Sequence, residues 1–380
     1  MKKALRILFL LVFLLLFLST GIITFKHSIR KKNPPVLSDG PAAADVWITK
    51  YIPDREQFLV PYRLWNAGLD KRYYSEINAY LNERGQFIIG SYSMSAEARK
   101  TAESIKDFYS FCQERGIHFL YVLFPGKPEY DQELMRLGIA CHRNAMADLL
   151  TQKLREGDVP CLDLRESFRA EEDFYSFFYK TEHHWTADAG LKAAREIALR
   201  LNEEFGMTLD TTRLRNEVIA RRVYPGVFVG EIGTKTLGKY GEIDDYIVRY
   251  PIYEPHLRYL CHDDGTDISG GFEILTAQDM LNQSHLDGGR SLYYYYLFQN
   301  NGLIEIWDED VPSGDLLLIK DSYSNVVSPF LALTAKHVTA WDMRFDTHIK
   351  AYLTEHPEIE TVVVAYQIGF ILTPSMNVFQ

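Results

Sequence analysis

The spacing of apolar positions changes several times along this chain, and each change marks an element. From Ser95, a candidate helix cap, Ile105, Phe108, Tyr109 and Cys112 follow the i, i+3, i+4, i+7 spacing of a helix that stops near Gly116. His118 to Phe124 is then a short apolar run halted by Pro125-Gly126, which predicts a buried strand. A second helical stretch is predicted over roughly 131–157. A third is marked by Leu191, Ala194, Ala198 and Leu201, with Thr186 as its N-cap and Gly206 near its end. Asp315 to Ile319 predicts another buried strand, followed by a turn and a helix over about 325–336, and Val338–Trp341 and Thr361–Ala365 complete the set. Strands alternating with helices predict a layered α/β domain with a mainly parallel sheet. Residues 207–300 break the pattern with scattered Gly and Tyr and read as a large insertion or substrate-side region. Within it, Tyr293 to Tyr296 would alternate faces if extended.

The amino terminus has a different character. Ile7 to Phe25 runs 19 residues without a charge, which as a helix spans about 28 Å, close to the hydrocarbon thickness of a bilayer. A cleaved signal peptide would share Lys2, Lys3 and Arg6, but its apolar stretch is shorter and no small-x-small cleavage site precedes Lys26. Residues 1–32 are therefore expected to anchor the chain in a membrane, with the span at about 7–25. Residues 33–50, with Asn33-Pro34-Pro35 and Gly40-Pro41, are an extended tether, and 51–380 form the domain. With one span, the usual arrangement leaves the domain outside the cytoplasm, as at a bacterial cell surface.

Composition narrows the function. Hydrophobic residues are 47% and charged residues 24%, the balance of a folded chain with ample core. A net charge of −10, with no basic run beyond the first 32 residues, excludes nucleic-acid binding. The 13% aromatic content suits a core as well as a sugar-handling surface. Four cysteines without a C-x-x-C pair support neither a disulfide scaffold nor a zinc ribbon, and leave one or two disulfides open.

Two segments carry candidate chemistry. Asp321-Ser322-Tyr323 follows directly on a predicted strand. A serine at such a strand-to-helix turn stands at the carboxyl edge of the sheet, where free N–H groups face an oxyanion. Asp-Ser is also a common capping pair. The second segment, Thr181-Glu182-His183-His184-Trp185-Thr186, lies in the loop before a helix. A serine hydroxyl needs an imidazole to take its proton, and the imidazole needs a carboxylate to fix its tautomer; an acid two residues before a histidine can serve. Adjacent histidines also suggest a metal, but neighbouring side chains usually diverge and no further ligand falls at helical spacing, so no metal is expected.

Together these segments resemble the DHHW family, related to the alginate O-acetyltransferases. Glu182-His183-His184-Trp185 is similar to the family's signature, Leu318 to Ser324 with Ser328-Pro329-Phe330-Leu331 to its Lys-Asp-Ser-Tyr block, Trp341 to Arg344 to its Asp-x-Arg strand, and Pro125-Gly126-Lys127 to its Pro-x-Lys turn. The resemblance spans roughly 50–370. It implies an SGNH-hydrolase-like three-layer α/β/α sandwich, tethered by the N-terminal helix, that transfers acetyl groups to an exported or cell-surface polysaccharide. In that scheme Ser322 is the nucleophile, His184 the base and Glu182 the acid. The family has Asp at the last position, so the geometry of a Glu there is in question; Asp188 is a substitute better suited to the helix dipole. No cofactor is implied, but a membrane-bound O-acyltransferase partner is. An acetylesterase and a catalytically silent polysaccharide-binding scaffold are the alternatives. For substrate binding, Lys127 is expected to meet an anionic group or brace its turn, Arg344 to bind substrate or pair with an acid, and Asn301 to donate to the oxyanion. His183 and Trp185 are read as packing residues.

Overall fold

The computed structural model describes residues 72–74, 78–236, 243–282, 291–369 and 377–380. The expected anchor (1–32), the tether (33–50) and the domain start at 51 lie outside the described residues. Among the described residues no helix is long and apolar enough to cross a membrane.

Strands β1 (Tyr73–Tyr74), β2 (Ala79–Leu81) and β3 (Phe87–Ile89) form a small antiparallel sheet. Helix α1 (Ser95–Gln113) and strand β4 (His118–Phe124) then match the sequence expectation, except that Met94 occupies the cap position and Ser95 is already helical. The single helix expected over 131–157 is two, Gln132–Met135 and α2 (Arg143–Arg155). Gly138 breaks it at φ +74°, a left-handed turn that a side chain would oppose. Strand β5 (Cys161–Asp163) is followed by α3 (Ala187–Phe205), whose N-cap Thr186 accepts from Ala189 N–H and whose end is Gly206 in the left-handed conformation.

The described residues of 207–300 hold more regular structure than their composition suggests. They contain a long antiparallel ribbon, β6 (Ile219–Phe228) with β7 (Asp244–Pro251), and strands β8 (Leu257–Cys261) and β9 (Asp267–Gly270). Strands β10 (Leu303–Asp308), β11 (Asp315–Lys320) and β12 (His337–Asp342), helix α4 (Ile349–Glu355) and strand β13 (Thr361–Gln367) complete the chain. The helix expected over 325–336 is shorter, Ser328–Ala332, and a 3-10 turn, Ser322–Val326, precedes it. The tyrosine run is also not extended: Leu292–Tyr295 is a 3-10 turn, and Tyr293, Tyr295 and Tyr296 are buried.

The main sheet has the order β5-β4-β13-β11-β12-β10-β8-β9. Its first five strands are parallel and the last three are antiparallel additions, so the sheet is mixed. Side chains alternate between faces, as the strand period requires. Leu316 and Leu318 share a core with Leu191, Ala194, Ile197 and Leu201 of α3, while Leu317 and Ile319 face Ile105 and Phe108 of α1, Leu150 of α2 and Leu353 of α4. Helices thus cover both faces, the expected three-layer sandwich. The parallel strands bring Pro125, Ser322, Met343 and Ile368 to one carboxyl edge of the sheet, the usual place for a site in an open α/β sheet. All four cysteines are unpaired.

Candidate active site

Ser322 opens the turn after β11, where Asp321 acts as N-cap. One Asp321 oxygen accepts from Tyr323 N–H at 2.9 Å and the other from Gln367 N–H at 2.7 Å, tying the turn to the end of β13. Burial pushes the Asp321 carboxyl up to about 7. The Ser322 N–H has no acceptor among the described residues.

The loop carrying the histidines is held from two sides. Lys127 Nζ donates to the carbonyls of Tyr179, Lys180 and Glu182, and Asp244 of β7 accepts from the N–H groups of Lys180 and Thr181 and from the Thr181 hydroxyl. Burial pushes the Lys127 ammonium down to about 7, partly opposed by Asp244 and Glu182. Trp185 is fully buried against Phe124, Phe168 and Tyr323, and its indole N–H donates to the Tyr323 carbonyl at 2.9 Å. That bond fastens the histidine loop to the serine turn.

The two segments meet at His184 Nε2, 2.9 Å from Ser322 Oγ. Burial, reinforced by His183, pushes the His184 imidazole down to about 4, against the pull of Glu182. It is therefore neutral near pH 7, and with its proton on Nδ1 it accepts from the serine hydroxyl. Glu182 Oε1 stands 3.2 Å from His184 Nδ1 but off the line of its N–H, which meets no aligned acceptor. The same oxygen is 2.5 Å from His183 Nδ1 and accepts the His183 backbone N–H at 2.8 Å, while Oε2 accepts from Glu231 N–H at 2.9 Å. Burial would raise the Glu182 carboxyl, but its histidine donors overcome this and hold it well below the usual carboxylate range. Gly230 lets its backbone pass close to this residue: a Cβ there would lie 2.4 Å from Glu182 Cβ.

Contrary to the usual divergence of neighbours, the His183 and His184 rings lie 3.8 Å apart between centroids. Glu182, His183 and His184 together offer three possible metal-ligand atoms within 4.8 Å of one another, although His184 Nε2 is already turned to Ser322. Asp188 is no substitute acid, since it pairs with Arg221 and Arg249.

The three expected substrate-binding side chains are otherwise engaged. Lys127 is the brace just described, the second of its two expected roles. Arg344 grips Asp342 with Nε at 2.8 Å and Nη2 at 2.5 Å, and Asp342 also meets Lys320. Asn301 is corrected as an oxyanion donor, because its buried amide donates to Tyr259 Oη and the Leu297 carbonyl. Its neighbour Asn300 is the one that reaches the serine turn, through Asn325 at 2.9 Å.

Sequence reasoning missed Tyr293. Its ring stacks on His184 at 3.7 Å and 11°, and its hydroxyl donates to the Ser322 carbonyl at 2.7 Å, so one side chain positions both partners. The run of tyrosines was visible, but nothing local separated this one from its neighbours. A cavity of about 280 Å³ adjoins the site, lined in part by Lys127, Arg143, His183, Glu231, Tyr323 and Gln367.

The comparisons agree with this architecture. Residues 90–253 match the family described as ALGX, the SGNH hydrolase-like domain of acetyltransferase AlgX, so the resemblance read from the motifs holds. No curated protein matches the chain by sequence. Among solved structures, Bacillus cereus PatB1 with a sulfonyl adduct superposes with a TM-score of 0.65 at 17% identity, over 80% of this chain and 97% of that one. A DHHW family protein from Eubacterium siraeum gives 0.59 at 15%, over 77% and 92%. At these identities the likeness is one of fold, and the fold is SGNH-hydrolase-like α/β.

Proposed function

We propose that this chain is a membrane-anchored O-acetyltransferase acting on a polysaccharide outside the cytoplasm, with Ser322 carrying the acetyl group. The observation that carries the proposal is the 2.9 Å contact between Ser322 Oγ and a buried, neutral His184 that has a carboxylate behind it. Ser322 Oγ attacks the carbonyl of an activated acetyl ester as its proton passes to His184 Nε2. The leaving group then takes that proton as its bond to the acetyl carbon breaks. A sugar hydroxyl repeats the attack on acetyl-Ser322, giving its proton to His184, and Oγ regains a proton as the sugar ester departs. The Ser322 N–H is positioned in sequence to serve the oxyanion. Glu182 stabilises the imidazolium formed in each half-reaction.

The AlgX-type domain supports acetyl transfer as the reaction, and the apolar segment Ile7–Phe25 supports the anchor. A domain outside the cytoplasm has no soluble acetyl pool to draw on, so the reading includes a membrane-bound O-acyltransferase partner. Water in place of the sugar makes the same site an esterase, and competition at the acyl-enzyme decides between the two.

The test is intact-mass spectrometry of the full-length chain in detergent after mixing with an activated acetyl ester, beside Ser322→Ala. An added acetyl group, absent from the variant, with ester turnover reduced by more than about 10³-fold, is the expected result. Folded wild-type protein with neither adduct nor turnover would leave a binding scaffold as the reading. Adding an acceptor glycan then separates transfer from hydrolysis.

A further inference from the structure

The ring nitrogen of His184 that faces away from Ser322 lacks a well-placed partner. Nε2 is engaged with Ser322 and the ring is clamped under Tyr293, so Nδ1 has one fixed direction. It is buried and meets no aligned acceptor, although Glu182 Oε1 stands 3.2 Å away, off the line of the N–H. An acceptor off that line is poorly placed for a proton. It is well placed to be the second ligand of an ion standing on the line. Adjacent ligands in a tetrahedral zinc site are about 3.3 Å apart, so this pair already has the spacing. His183 Nδ1, 2.5 Å from the same oxygen, has to open by about 0.8 Å to match, and its side chain is 38% exposed and can swing outward. Among the described residues no other three His, Cys, Asp or Glu side chains converge with their ligand atoms all within 4.8 Å. The expectation of no metal rested on neighbouring histidines diverging, and here their rings pack together.

We propose that Glu182, His183 and His184 bind a zinc ion reversibly, and that the bound ion shuts the site off. Two imidazoles and a carboxylate suit zinc, whereas magnesium and calcium take oxygen ligands. Water from the cavity that His183 lines fills the fourth position, and that cavity is the ion's way in. Coordination uses the Nδ1 lone pair of His184, so the single proton of the neutral ring moves to Nε2. There it points at Ser322 Oγ, and Nε2 has no lone pair left to take the serine proton. The ion also draws on the Glu182 charge that would otherwise stabilise the imidazolium. Zinc and proton transfer thus compete for one ring. Binding rests on the geometry alone; the block on catalysis rests on His184 acting as the base in the reading above.

Calorimetric titration of zinc into the metal-free, full-length chain in detergent tests this, beside acetyl-ester turnover. Wild type and Ser322→Ala should bind zinc equally, because the serine is not a ligand, so binding is read without turnover. His183→Gln should weaken zinc by more than about 10-fold, the least that losing even an outer partner of a ligand costs. Cobalt(II) in place of zinc should give wild type the visible absorption of a tetrahedral ion and lose it in H183Q. Saturating zinc should cut wild-type turnover by about 10²-fold or more, the share a general base supplies, and EDTA should restore it. Magnesium binding as tight as zinc, zinc affinity untouched in H183Q, or full turnover with the ion held through His183 would each overturn the proposal. Zinc binding that depends on His183 in a chain with neither acetyl-serine nor ester turnover would keep the ion site and remove only the transferase reading.

Discussion

Two places in this fold set one glutamate between two histidines, with opposite outcomes. At the candidate active site Glu182 meets His183 and His184; on the antiparallel flank of the sheet Glu305 meets His262 at 2.7 Å and His337 at 3.0 Å. His184 is pushed down to about 4 and His337 up to about 9. The acid is present in both, so the acid alone does not decide. His184 is sealed beneath Tyr293, its one carboxylate lies off the N–H line and is shared with His183, and burial wins. His337 is less deeply buried and has a second carboxylate, Asp315, 3.1 Å from its other ring nitrogen, so the two acids overcome desolvation. An imidazole in a dry place with one loosely engaged acid can act as a base; with an acid at each nitrogen it becomes a fixed cation.

The largest effect that could break this comparison is on Glu182. If its charge steadies the imidazolium despite the imperfect alignment, Glu182→Gln should lower kcat for acetyl-ester turnover by about 10²- to 10⁴-fold. The unfolding midpoint should fall as well, because the single Gln oxygen can keep only one of the two N–H groups that Glu182 holds on separate oxygens. A variant within threefold of wild type would mean that the carboxylate holds the loop and does nothing for the base. Next in size is the pH profile. The imidazolium has no lone pair for the serine proton, so kcat/KM should be lost as pH falls through about 4 and should be level between pH 6 and 7.5. A limb near the ordinary histidine value of 6.5 would show that burial does not govern His184.

Legibility in the sequence followed the range of the interactions. Strands β4, β11, β12 and β13 were plain from their apolar runs, since a strand buried on both faces has little freedom in composition. Ser322, His184 and Glu182 were legible from two short motifs, and the structure brings them together across 138 residues. The parts that could not be read join distant segments. Asp244 holds the histidine loop from a region with no periodic pattern, Lys127 closes on carbonyls more than 50 residues away, and Tyr293 is one of four consecutive tyrosines. The antiparallel half of the sheet was missed for a related reason. Strand β8 is buried at alternate positions only, inside a stretch rich in turns, and pairing with β10 is what makes it a strand.

The smallest effect belongs to His337, and it sharpens the comparison from the other side. His337 faces Asp315 and Glu305 and stacks on Trp307, whose ring also carries Arg258, so all three surrounding strands contribute to its setting. Its folded value, about 9, lies above the ordinary 6.5. The ion pairs therefore stabilise the folded chain fully below about pH 6.5, and that contribution is lost as pH rises through about 9. His337→Gln should lower the unfolding midpoint by about 2 °C at pH 6, with the gap to wild type closing by pH 10. Acetyl-ester turnover at pH 7 should be unchanged, because this cluster lies on strands outside the loop and turn that meet at Ser322. A gap that stayed constant from pH 6 to 10 would make His337 a packing residue under Trp307, and the contrast with His184 would then be one of burial alone.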